Sequence, residues 1–147
     1  MRRAVAALDE GSVRPFHAMV YLAYIAAGVQ SLALGAPPNA VAQVMGHRFA
    51  LAWIVLIIVS PALALVGMAT ERRYIYGLYM QAAGNSGVAC ATAAYVMAIL
   101  QVTWADRASF AAWMATSLTA SAVLITWRDV RRIRAVTRRV RQLEEDA

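Results

Sequence analysis

Long runs of apolar residues, broken only by short charged islands, set the pattern of this chain. Four windows are free of charge and long enough to cross a bilayer, which takes about 20 apolar residues. They cover about 16–35, 49–70, 74–102 and 108–127. Pro37 and Pro38 end the first, because proline lacks a backbone donor and clashes with the preceding turn. The windows carry no repeating polar face to offer to water, so the expected solvent is lipid. The predicted fold class is all-α: an integral membrane four-helix bundle in residues 1–127, then an arginine-rich helical tail in residues 128–147. A competing reading takes residues 1–36 as a cleaved signal peptide, ending at Leu34-Gly35-Ala36. Asp9 and Glu10 interrupt that leader, and its apolar stretch exceeds the usual ~7–15 residues.

Composition agrees. Of 147 residues, 61% are hydrophobic and 15% charged, well away from the ~45–50% apolar share of soluble domains. The net charge of +6 resides mainly in the tail. Every basic residue is arginine, so each positive charge is permanent and can fork onto phosphate. The single cysteine, Cys90, excludes an intrachain disulfide and is expected as a small buried core residue.

Arginine placement orients the spans. Arg2, Arg3 and Arg14 precede the first. Arg72 and Arg73 sit between the second and third, and seven arginines from Arg128 to Arg141 follow the fourth. Only Arg48 and Arg107 fall on the other side. The positive-inside rule then places both termini in the cytoplasm of a multi-pass inner-membrane protein. Phe16, Tyr74, Tyr76, Trp104 and Trp127 fall near the expected interfaces, with Trp53 and Trp113 slightly deeper.

No Asp, Glu, Lys or Arg lies inside a span so defined. Charges at the bilayer centre cost roughly 2.5–3.5 kcal/mol each on insertion scales and mark function. Their absence argues against a proton-coupled pump, a voltage sensor or a buried acid–base enzyme. Milder polar residues remain: Gln30 and Ser31 in the first span, and Ser60 before Pro61 in the second. The fourth carries Thr116, Ser117, Thr119, Ser121 and Thr126. In the third, Gln81, Asn85 and Thr92 fall on one helical face, and the glycines Gly84 and Gly87 weaken the helix and permit a kink. Gln81, Gly84, Asn85, Gly87, Thr92 and Thr116 are the candidate helix-contact or pore-lining residues, and packing and pore lining are both open. The second span, bulky and nonpolar all round in its first half, reads as a lipid-facing anchor that Pro61 bends.

In the loop from Ala36 to Arg48, Val41, Val44 and Met45 form a short interfacial helix behind an Asn39 cap. His17 is placed at the inner interface. His47 and Asp106 share the outer side, but two isolated residues are not a ligand set, and no cofactor or metal is expected. The tail has no helix stop. Val130, Ile133, Val136, Val140 and Leu143 recur at three- and four-residue steps, flanked by arginines. Arg131, Arg132, Arg134, Arg138, Arg139 and Arg141 are the candidates for lipid headgroups of an anionic inner leaflet. Self-association through the stripe is the alternative, and nucleic acid is not the expected partner, since no groove-reading motif accompanies the arginines.

Small size, uncharged spans with small-polar faces and a charged cytoplasmic tail together resemble phage holins. The Pro37-Pro38 loop followed by an apolar, Pro- and Gly-containing second span is similar to small multi-span membrane proteins of actinobacterial phages, often encoded beside lysis genes. The resemblance covers the four-span layout and tail, and implies a protein that accumulates in the inner membrane and assembles to open it, through the faces of spans three and four. Two other readings stay open: a non-catalytic accessory or scaffold subunit of a membrane complex, and a small passive channel lined by Gln81 and Asn85. An enzyme is not expected, since no nucleophile–base pair or metal set is visible.

Overall fold

A computed structural model describes residues 14–35, 37–71, 74–102 and 109–145. The leader residues Arg2, Arg3, Asp9 and Glu10, the turn arginines Arg72 and Arg73, Trp104, Asp106, Arg107 and Asp146 lie outside them. The described residues form four helices and no strand: α1 (Arg14–Ala33), α2 (Asn39–Thr70), α3 (Ile75–Gln101) and α4 (Ser109–Glu145). All four are long and apolar enough to cross a membrane.

The packing is sequential. α1 lies on α2, α2 on α3, and α3 on α4; among the described residues the backbones of α1 and α4 do not approach each other. Successive helices run in opposite directions. Tyr21, Ala64, Val88 and Ala122 share one level of the core, whereas Val41, Ile99 and Val102 cluster with Ala111 at the other end. The N-terminal end of α1, the C-terminal end of α2, the N-terminal end of α3 and the arginine-rich part of α4 therefore share one end of the bundle.

α2 is one of two inner elements, packed on both α1 and α3, and not the peripheral anchor its all-round hydrophobicity implies. Ile54, Ile57, Ala64 and Gly67 are buried, while Leu51, Val55, Val59 and Val66 on its other side are exposed. A helix that is apolar all round gives no periodic signal of which face is inward. Exposed bulky residues also cover the other helices, including Leu22, Tyr79, Met97, Trp113 and Leu124. Such a surface far exceeds the isolated apolar patches of soluble monomers and suits a hydrocarbon surround.

Helical dihedrals continue through Pro61, and the one interruption falls at Gly46, with φ 72 and ψ 167. A side chain at that positive φ would be strained, so glycine permits the bend. The bend folds the short helix that opens α2 back over the core, where Ala40 and Val41 are buried and Val44 and Met45 pack beside them. That segment thus covers the core with its apolar side, while Gln43, His47 and Arg48 are exposed. Pro38, not Asn39, is the N-cap, and no side chain caps it by a hydrogen bond.

α3 is likewise continuous, and its glycines serve close approach instead of a kink. A Cβ on Gly84 would lie 2.5 Å from the Ala64 backbone nitrogen and 2.6 Å from the Ser60 carbonyl oxygen. On the α2 side, a Cβ on Gly67 would lie 2.5 Å from the Gln81 backbone nitrogen. Gly87 faces the Ser60 side chain in the same way. These small residues bring the α2 and α3 backbones into contact, the usual means of association where water supplies no hydrophobic drive between helices.

Candidate functional site

A buried polar chain joins three helices near the arginine-rich end. From α1, Tyr21 Oη donates a hydrogen bond to Asn85 Oδ1 on α3 (2.5 Å). Asn85 Nδ2 in turn donates to Asp129 Oδ2 on α4 (2.6 Å). Asn85 is 1% exposed and Asp129 0%. The amide is suited to the central position because it carries both an acceptor and donors, so it can bind a hydroxyl on one side and a carboxylate on the other.

Asp129 adds a buried carboxylate two residues beyond the charge-free fourth window. The fourth window ends at Trp127 by hydropathy, but α4 continues through it without a break. Ala115 and Ala122 are buried against the bundle, and a further step of seven residues reaches Asp129. Seven residues are nearly two helical turns, so the inward stripe carries the carboxylate beneath α3. That spacing was the signal available in the sequence; counting charges only inside apolar windows hides it.

The surroundings are polar but incompletely satisfied. Asp129 Oδ1 lies 3.9 Å from Arg128 Nε, too far for a hydrogen bond, and both atoms are buried without a hydrogen-bond partner. One turn from Asn85 on α3, Gln81 is 6% exposed and its Oε1 also has no partner. The charges of Arg128, Arg132 and Glu71 act on the Asp129 carboxylate. His17 stacks near Tyr21, with ring centroids 6.4 Å apart.

The residues singled out from the sequence divide into three groups. Gln81, Gly84, Asn85 and Thr92 are buried inside a single copy, and Gly87 is half-buried against α2. Thr92 bonds its hydroxyl to the Val88 carbonyl of its own helix (2.9 Å). Thr116 does not join them: it is exposed on α4, its hydroxyl donating to Ala112. Arg131, Arg134, Arg138, Arg139 and Arg141 are exposed along the tail, with Arg132 half-buried. Cys90, expected in the core, is exposed, because it lies on the side of α3 away from α2.

The open seam between α1 and α4 forms an apolar cleft of about 570 Å³, with Trp53, Thr92 and Tyr95 among its lining residues. Trp53 Nε1 donates to the Ala91 carbonyl (2.9 Å), which removes the one polar demand of its ring. Among the described residues, no three His, Cys, Asp or Glu side chains come together as a metal site.

These features define an all-helical protein with four potential membrane spans and a polar clasp that ties α1, α3 and α4 together. No family model, curated protein or solved structure matches the chain.

Proposed function

We propose that this chain is a holin-like protein of the cytoplasmic membrane, with both termini in the cytoplasm, that self-assembles and thereby permeabilises the bilayer. The observation that carries the reading is the unpartnered outer face of α4. Thr116, Ser117, Ala120 and Ser121 are all exposed there. At about 100° per residue, they fall roughly opposite the buried Ala115–Ala122 line. Their size permits close helix approach over the two turns between the exposed Trp113 and Leu124, which lie on the same face. The hydroxyls of Thr116, Ser117 and Ser121 already bond to carbonyls of α4 itself, so this face can lie against lipid in a single copy and against another helix after assembly. The end helices support the same reading, since among the described residues the backbones of α1 and α4 each lie along one neighbour.

The assembly surface proposed here differs from a pair of polar faces on spans three and four. The polar face of α3 is occupied inside each copy, so α4 carries the contact. A passive channel lined by Gln81 and Asn85 has little support from a face packed this tightly. An accessory subunit would use the same α4 stripe, with a different helix against it.

Cross-linking distinguishes self-assembly from that alternative. In a Cys90→Ser background, Ala120→Cys is expected to give disulfide-linked dimers on mild oxidation of membranes. Val59→Cys, on the exposed side of α2, serves as the control and is expected to stay largely monomeric. Equal yields at both positions, or none at Ala120→Cys, would remove α4 as the assembly face.

A further inference from the structure

We propose that the groove between α3 and α4 at the arginine-rich end is a binding site for one anionic phospholipid of the cytoplasmic leaflet. The inference rests on the membrane orientation proposed above, but not on permeabilisation. The groove encloses about 420 Å³. Its α3 wall is shallow because it is built from small residues, including Ala89 and Cys90, and its α4 wall is formed by Val123 and Trp127. Arg131 and Arg134 close one end.

Length and charge together select the occupant. From Val123 to Arg134 the groove follows twelve residues of α4, eleven rises or about 16 Å at 1.5 Å per residue. That is close to half of a hydrocarbon core ~30 Å thick, the depth of one leaflet. Its apolar part accepts an acyl chain. The two guanidiniums, three residues apart on one face of α4, are both exposed. No carboxylate lines the groove, and among the described residues neither arginine forms a salt bridge. Arginine matches a phosphate by forked donors. A zwitterionic lipid brings its own cation to the same place and loses the net attraction, so the site favours an anionic headgroup.

The test is native mass spectrometry of the detergent-purified chain titrated with phosphatidylglycerol or phosphatidylcholine. One phosphatidylglycerol is expected to bind at least about tenfold more tightly than phosphatidylcholine. Arg131→Gln with Arg134→Gln is expected to abolish that preference, while Arg139→Gln with Arg141→Gln, an equal change of charge further along the tail, keeps it. Maleimide modification of Cys90 reads the apolar part separately: phosphatidylglycerol slows it, whereas inorganic phosphate at equal concentration does not. Equal binding of the two lipids, or an equal loss in both arginine pairs, would overturn the site. So would Cys90 modification that phosphatidylglycerol leaves unchanged. Assembly through α4 is scored independently by the Ala120→Cys cross-link, so failure of one does not stand for failure of the other.

Discussion

Asn85→Leu is expected to destabilise the folded chain by about 1–3 kcal/mol, the cost of leaving buried polar groups without their hydrogen-bond partner. The substitution removes the donor to Asp129 Oδ2 and the acceptor of the Tyr21 hydroxyl together. Asp129 is then fully buried with neither oxygen hydrogen-bonded, since Oδ1 already lacks a partner. The informative comparison is the double variant Asn85→Leu with Asp129→Leu. Removing both polar partners eliminates the desolvation penalty, so this variant should recover most of the lost stability. Tyr21→Phe alone should cost only about 1 kcal/mol, as for a single hydrogen bond. Thermal unfolding in detergent, followed by size-exclusion profile, reads all three. If the double variant is no more stable than Asn85→Leu, the penalty does not come from the stranded carboxylate.

Gly84→Val is expected to be as damaging by a different route. The added Cβ would fall 2.5 Å from a backbone nitrogen of α2, and backbone cannot rotate out of the way. α2 and α3 must separate, and overpacking of this kind costs typically about 1–3 kcal/mol. Here α2 also carries α1, so the displacement extends to the whole bundle. Gly84→Ala should show a smaller loss in the same direction. Gly35→Ala serves as a contrast: open space surrounds that position, leaving only the strain of its positive φ. The same unfolding assay checks the order, with Gly84→Val below Gly84→Ala and both below Gly35→Ala. Equal stability of Gly84→Val and the parent chain would rule out backbone contact between α2 and α3.

The four helices were legible because charge-free length is a one-dimensional property, and lipid imposes it on every span. The stripe of Gln81, Asn85 and Thr92 was also visible, since steps of four and seven define one helical face. Its partners were not. Tyr21 is one aromatic among several in α1, and Asp129 follows Trp127 in a stretch that reads as tail. Only the continuation of α4 brings that carboxylate under Asn85. The inward face of α2 was hidden for the opposite reason: hydrophobic residues on every side leave no pattern to read. Gly84 and Gly87 looked like points of weakness, because one sequence does not reveal the backbone that fills the space a side chain would take. Cys90 looked like core for its chemistry, and only the placement of α3 shows it facing out.

The most direct test of the functional account is membrane potential recorded during induced expression in a bacterial host, alongside Thr116→Leu with Ala120→Leu. The parent chain is expected to accumulate without effect and then collapse the potential abruptly, with loss of viability. The variant should insert to the same level and leave the potential intact. Normal potential and growth throughout, with the parent chain inserted in the membrane at high level, would contradict permeabilisation and leave the α4 face to a different partner.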